Sequence, residues 1–201
     1  MLFVFLLKRE YKEKMEGNLE QEIIKIRWHA RGGEGAKTGS EILAKTVIYL
    51  GYWAQSFPEY GPERTGAPIS AFNRISQNPQ TIHSAVAKPD IVVVLDDTLF
   101  KSIKAKITAG TNKKTIFIVN SDQTIRLPGK VIQIDLAKLI NSSFVNIPII
   151  SQIIKNLALF GLKIEKEEFL PAIKKALQEK FDDPQTVNKN INWLKIVWEA
   201  K

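Results

Sequence analysis

The feature of this 201-residue chain that most constrains its fold is a run of apolar residues from Ile91 to Leu95. Pro89 and Asp90 precede the run, and three consecutive valines occupy its middle. A strand that is apolar on both sides must be covered on both faces, which is typical of central strands in sheets that carry helices on either side. The run therefore predicts the centre of the sheet in an α/β domain.

Strand and helix patterns alternate around this central run. Strand patterns cover residues 23–28, 52–57, 69–75, 115–119 and 131–134, and helical patterns cover about 38–51, 98–107 and 136–140. Thr38 and Glu41 have the spacing of a capping box, which predicts that the first helix begins near Thr38. From Pro148 onwards the apolar spacing is helical. We expect a three-layer α/β/α sandwich with a mixed, mostly parallel sheet and a helical C-terminal part.

The length predicts one domain, which we place at residues 21–201. Residues 1–20 are predicted to be an extension, either disordered or an artefact of start-site choice. Their apolar run from Leu2 to Leu7 is too short to span a bilayer, and its charges follow it rather than precede it. We therefore expect no membrane insertion and a cytoplasmic location.

Composition limits the chemistry that this chain can perform. Because the chain has no cysteine, it offers no disulfide, no thiol nucleophile and no cysteine ligand for zinc or an iron–sulfur cluster. Any such cluster must lie on a partner. The net charge of +8 favours acidic partners, but the lysines and arginines are scattered and form no nucleic-acid motif. We expect no nucleic-acid partner.

A glycine-rich turn lies in the segment from Trp28 to Glu41, where the first strand leads into the first helix. Gly32, Gly33 and Gly35 would let the backbone approach a bound group, and a helix N-terminus favours anions. The glycines do not match the G-x-G-x-x-G fingerprint of dinucleotide sites, and no G-K-[ST] of a P-loop follows. A cofactor cradle and a tight turn that serves packing alone both remain open.

Charged residues flank this turn and occupy a second unusual loop, from Phe57 to Pro68. His29 could move protons and Arg31 could bind a phosphate or carboxylate, although a lone histidine at a strand end is more often a satisfied structural residue. The second loop displays Glu59 and Arg64 between prolines and glycines. These charges could contact a ligand or pair with each other. We identify no self-sufficient catalytic set on this chain.

The two loops together resemble the gamma subunits of 2-oxoacid:ferredoxin oxidoreductases, especially those of pyruvate:ferredoxin oxidoreductase, or pyruvate synthase. The family pattern is a strand, G-R-G-G-Q-G, a helix, and then Q-x-F-P-E-Y-G-x-E-R-x-G-A-P. Residues 55–68 follow this pattern, as do AFNRIS at 71–76, the Pro-Asp strand at 89–95, and Asn146 before an apolar helix. Ala30 replaces the usual first glycine, and Glu34 replaces the usual glutamine.

The resemblance implies oxidative decarboxylation of pyruvate (class EC 1.2.7.1) on thiamine diphosphate, with coenzyme A as co-substrate and electrons passing through [4Fe-4S] clusters to ferredoxin. Thiamine diphosphate, Mg²⁺ and the clusters are expected on alpha, beta and delta partner subunits, so this chain would hold no cofactor tightly and would not be active alone. An enzyme acting on 2-oxoisovalerate or 2-oxoglutarate and a free-standing nucleotide-binding module remain alternatives. The resemblance implies interface or site-edge roles for Arg31, Gly32, Gly33, Gly35, Glu59 and Arg64.

Overall fold

The structure, a computed structural model, describes residues 23–59, 66–80, 82 and 84–200. The predicted extension at 1–20 lies outside this part of the chain. The described strands are β1 (Ile24–Arg31), β2 (Trp53–Pro58), β3 (Pro68–Ser76), β4 (Ile91–Val94), β5 (Ile116–Asn120) and β6 (Lys130–Ile134). The described helices are α1 (Ala36–Tyr49), α2 (Leu99–Thr108), α3 (Leu136–Leu139), α4 (Ile150–Leu157), α5 (Lys166–Gln178) and α6 (Pro184–Glu199), with a 3₁₀ turn at Ala158–Phe160.

The strands form one six-stranded sheet in the order β2-β3-β1-β4-β5-β6. Strand β3 is antiparallel to both of its neighbours, β1 and β2, whereas β1, β4, β5 and β6 pair in parallel. The prediction of a mixed, mostly parallel sheet is confirmed. The apolar run predicted to lie at the centre forms β4, which is buried along its whole length beside β1.

Apolar side chains cover both faces of the sheet. Alternate residues of β1, including Ile26, Trp28 and Ala30, join a large core with α1, α4, α5 and α6. On the opposite face, Val92 and Val94 of β4 join a smaller core with α2. The three-layer prediction is confirmed, with one layer of helices much larger than the other. No helix in the described ranges is long and apolar enough to cross a bilayer.

The C-terminal helical part packs on the large-core side. Ser151 on α4 donates its hydroxyl to the Leu194 carbonyl on α6 at 2.8 Å, and Gln152 donates to the Val197 carbonyl at 2.7 Å. These buried polar contacts fix the register of α4 against α6 because each donor would otherwise be unsatisfied. The predicted helical C-terminal part is confirmed.

The start of α1 differs from the sequence-based prediction. The helix begins at Ala36 after Gly35, which adopts a left-handed conformation, and no side chain caps it. Thr38 and Glu41 therefore lie inside the helix and do not form a capping box. Glu41 instead accepts a hydrogen bond from Lys180, just beyond α5, at 3.1 Å.

Candidate functional site

The candidate site lies where β1 and β4 end side by side. The helix that follows β1 packs on the large-core face, whereas the helix that follows β4 packs on the opposite face. The connections therefore diverge at this point. In open α/β sheets this divergence creates a crevice at the carboxyl ends of the strands, which is where ligands characteristically bind.

The two loops singled out in the sequence meet at this point. The Gly32 N–H donates to the Ala67 carbonyl at 2.8 Å, and the Gly66 N–H donates to the Gly32 carbonyl at 3.1 Å. We call residues 31–35 and 66–68 the two-loop surface. Gly33, Gly66 and Pro68 are exposed on it. Arg64 and the rest of 60–65 lie outside the described residues.

The Arg31 side chain occupies the crevice between the two strand ends. Its Nε donates to Asp96 Oδ2 at 2.5 Å, its Nη2 donates to Thr98 Oγ1 at 2.6 Å, and its Nη1 donates to the Gly66 carbonyl at 3.1 Å. The guanidinium is thus engaged within the chain rather than held open for an anion. Sequence reasoning missed Asp96 and Thr98, although their position just after the central strand was a usable signal.

Glu34 stabilises the glycine turn through two hydrogen bonds with the backbone of Arg31. Its carboxylate accepts the backbone N–H of Arg31 at 2.6 Å, and the Glu34 N–H donates back to the Arg31 carbonyl at 3.0 Å. Burial raises the pKa of Glu34 above its usual value, and the neighbouring Asp96 carboxylate raises it further. Two carboxylates at this crevice disfavour a phosphate group there.

Gly35 and Gly39 serve close packing. A Cβ on Gly39 would lie 2.8 Å from the Asn146 carbonyl oxygen and 3.2 Å from the Trp28 ring. The Asn146 amide donates to the Gly35 carbonyl at 3.2 Å. These contacts support the packing interpretation for both glycines. Gly33, with a φ of +99° and open space around its Cα, has no such role.

Glu59 is held by α2. Its carboxylate accepts a hydrogen bond from the Lys106 ammonium at 2.8 Å, and this contact lowers the pKa of Glu59. The Glu59 N–H donates to the Ser70 carbonyl at 2.9 Å, which continues the pairing of β2 with β3. Glu59 therefore enters the second loop from a position fixed by two different elements.

His29 is fully buried and neutral. Its Nε2 accepts a hydrogen bond from Arg27 Nε at 3.1 Å. Burial, followed by the positive charges of Arg27 and Lys106, lowers the pKa of His29 to about 3. The proton-moving interpretation requires titration near neutral pH, so the geometry favours a structural role. No sequence pattern predicted the buried Arg27, which also donates to the Ile107 and Ala109 carbonyls.

The residues that the structure describes do not fit a metal centre. No group of three or more histidine, cysteine, aspartate or glutamate side chains that could hold a metal ion occurs among the residues described. The chain also has no cysteine for a cluster. That this chain holds no cofactor tightly stays a prediction.

A second concavity, with a volume of about 510 Å³, lies along the edge strand β2. Its lining includes residues 55–59, Phe72 and Ala85. The Phe57 and Phe72 rings are tilted against each other with centroids 5.2 Å apart, and Arg74 lies over the Phe57 ring. Binding sites usually place several polar groups of the protein around one ligand. More backbone and side-chain polar groups converge at the two-loop surface than along β2, so the two-loop surface is the better candidate.

Comparison with known proteins assigns the family. The family described as pyruvate ferredoxin/flavodoxin oxidoreductase matches this chain over residues 25–200. The chain belongs to this family. The match covers both loops, the sheet and the C-terminal helices, so the family assignment rests on the whole domain rather than on the glycine turn alone.

Two relatives and one solved structure illustrate the similarity. The pyruvate synthase subunit PorC of Thermotoga maritima is 46% identical over 101 residues. The matched part is about half of each protein, 50% of this chain and 51% of the relative. The common gamma subunit of pyruvate/ketoisovalerate oxidoreductases from Thermococcus kodakarensis is 34% identical over 79% of this chain and 91% of the relative. The crystal structure of pyruvate oxidoreductase subunit PORC from Thermotoga maritima superposes with a TM-score of 0.70 and 31% identity, covering 90% of this chain and 97% of that one.

Proposed function

We propose that this chain is the gamma subunit of a multi-subunit pyruvate:ferredoxin oxidoreductase (EC 1.2.7.1). The complex would convert pyruvate and coenzyme A to acetyl-CoA and carbon dioxide and would reduce ferredoxin in the cytoplasm. The observation that carries the proposal is the similarity to PorC along nearly the whole domain, together with the shared fold.

The residues of this chain are consistent with a division of the chemistry among several subunits. Without cysteine it offers no ligand for an iron–sulfur cluster, and the crevice at the strand ends contains Arg31. From the resemblance to the family, we propose that thiamine diphosphate, Mg²⁺ and the [4Fe-4S] clusters lie on alpha, beta and delta subunits. We derive no chemical step from this chain and propose that it acts by completing the assembly.

The two-loop surface is the proposed contact with a partner subunit. Gly33, Gly66 and Pro68 are exposed on it, and the Arg31 guanidinium binds the Gly66 carbonyl. A surface whose backbone is fixed before binding loses little conformational entropy when a partner docks. In this proposal Gly32 and Arg64 belong to the contact, while Gly35 and Glu59 hold its ends in place.

An exposed aromatic residue extends this proposed contact. Phe144 has 69% of its surface exposed, and it lies two residues before Asn146, which binds Gly35. Aromatic residues, including phenylalanine, are enriched in the cores of protein interfaces. Phe144→Ser should weaken association with the partner subunits at least tenfold without lowering stability. Leu159→Ser, a similar change at a 60% exposed residue in the 3₁₀ turn after α4, is the matched control.

Reconstitution tests the proposed function. The chain is co-expressed with its alpha, beta and delta partners, and the purified complex is assayed for ferredoxin reduction that depends on pyruvate and coenzyme A. We expect activity with the chain and at most a small residual rate without it. An unchanged rate when the chain is omitted would contradict the proposal. Calorimetry of the isolated chain with NAD, FAD and coenzyme A covers the alternative, because tight binding would favour a free-standing nucleotide-binding module.

A shared role in two enzymes is a second candidate. The Thermococcus kodakarensis relative is named as a subunit common to pyruvate and ketoisovalerate oxidoreductases. The same chain could therefore complete complexes of either substrate class, since substrate choice would depend on the catalytic partners. Assays with 2-oxoisovalerate and 2-oxoglutarate, using each set of partners in turn, distinguish a shared subunit from a dedicated one.

A further inference from the structure

Asp96 lies at the carboxyl end of the central strand and is itself held in place. The Thr98 backbone N–H donates to Asp96 Oδ1 at 2.9 Å, and the Thr98 hydroxyl donates to Oδ2 at 2.7 Å. These two bonds orient the carboxylate toward Arg31 without help from the two loops. The Asp96 carboxylate, which accepts from Arg31, is thus oriented by Thr98 in the same β4–α2 turn.

The Arg31–Asp96 ion pair is better protected than an ordinary surface pair. The two side chains keep 33% and 17% of their surface exposed, and the atoms are 2.5 Å apart. A charge-assisted bond of this length is stronger than a neutral one, and partial burial reduces screening by salt. The same guanidinium reaches the Gly66 carbonyl, so it connects the β4–α2 turn with both loops.

We propose that Asp96 is a positioning residue for the two-loop surface and that it acts through Arg31. The proposal rests on the proposed function, in which that surface meets a partner subunit. The Asp96 carboxylate binds the Arg31 guanidinium, and this guanidinium donates to the Gly66 carbonyl. The Gly66 N–H in turn donates to the Gly32 carbonyl, which joins the second loop to the first. A partner would then meet a surface whose shape is set by a residue that does not contact the partner.

The test separates positioning from partner binding. Asp96→Asn keeps the size of the side chain but removes its charge, and Asp122→Asn, at an exposed aspartate, is the matched control. Hydrogen exchange of the full chain alone should accelerate about tenfold at the amides of Gly32 and Gly66, the effect of losing one charge-assisted bond. The control should leave both amides unchanged.

The second readout uses the complex. The partner subunits are titrated with each variant, and pyruvate-dependent ferredoxin reduction is measured. Asp96→Asn should raise the half-saturating concentration of this chain about tenfold and leave the rate at saturation unchanged. A merely destabilising substitution would instead lower the melting temperature and reduce the fraction of active chain.

Each outcome decides a different point. Unchanged exchange at Gly32 and Gly66 would overturn the positioning role, whatever the association data show. Faster exchange with unaltered association would support positioning but refute the interface assigned to the surface. If Asp96→Asn does not fold, Thr98→Val removes the hydroxyl contacts to both charged residues and gives the same test. The double variant with Arg31→Gln should be no worse than the stronger single variant, since both act through one contact.

Discussion

Gly35 and Asn146 lie so close that a Cβ atom on Gly35 would be only 2.5 Å from the Asn146 amide nitrogen. The φ of Gly35 is +80°, which other residues adopt at a cost of roughly 1–2 kcal/mol. The Asn146 amide also donates to the Gly35 carbonyl. The start of α1 is therefore fixed to the segment that precedes α4, beside the two-loop surface.

Gly35→Ala should lower the free energy of unfolding by about 3 kcal/mol, because backbone strain and overpacking against Asn146 add together. Gly161→Ala is a matched control, since Gly161 has a φ of +81° and nothing within 4 Å of a built Cβ. The control should lose only about 1 kcal/mol. Urea unfolding of the full chain measures both. Equal losses would show that the contact with Asn146 contributes nothing.

Gly39→Ala should destabilise the chain by about 1–2 kcal/mol, as overpacking typically does. In an open helix interior the same change stabilises by roughly 1 kcal/mol. Here a Cβ would press on the Asn146 carbonyl and the Trp28 ring, both of which are buried against α1. Thermal unfolding decides the sign. A rise in melting temperature would mean that the neighbouring groups can move aside at little cost.

Periodicity along the chain was sufficient to predict the layers of this fold. The apolar run at Ile91–Val94 indicated a strand covered on both faces, and the helical spacing after Pro148 indicated the C-terminal helices. These patterns are local and repeat along each element, so they can be recognised from the sequence alone. The resemblance paired the two loops as one sequence signature, but their contact through Gly32, Gly66 and Ala67 was not predicted.

Contacts between distant segments could not be predicted. The capping-box prediction at Thr38 was wrong because Asn146, 111 residues after Gly35, helps set the start of α1. Asp96 binds Arg31, which lies 65 residues earlier in the chain. The sequence around either residue does not indicate that the other is its partner. The structural interpretation of His29 was already favoured by the sequence, but its hydrogen-bond partner, the buried Arg27, was not predicted.

Asn73→Leu should cost about 3 kcal/mol, because the buried amide satisfies three other groups and each loss costs roughly 1–3 kcal/mol before local adjustment. Asn73 Oδ1 accepts from Trp28 Nε1 at 2.8 Å, and its Nδ2 donates to the carbonyls of Ser40 and Gln55 at 2.9 and 3.1 Å. Asn188→Leu, at an exposed position of α6, is the control and should change stability little. Chemical unfolding that fails to separate the two variants would contradict this role.

His29 should make folding sensitive to mild acid. Its pKa is about 3 in the folded chain and near 6.5 when unfolded, so the unfolded chain binds the proton first as pH falls. The stabilisation is complete above the unfolded pKa and declines by about 1.4 kcal/mol per pH unit between the two values. Between about pH 7 and pH 5, wild type should lose about 2 kcal/mol more than His29→Gln, whose amide oxygen can still accept from Arg27. Carboxylates contribute alike to both proteins. The free energy of unfolding is measured by urea unfolding at each pH, and an equal loss in the two proteins across this range would show that His29 is protonated in the folded chain.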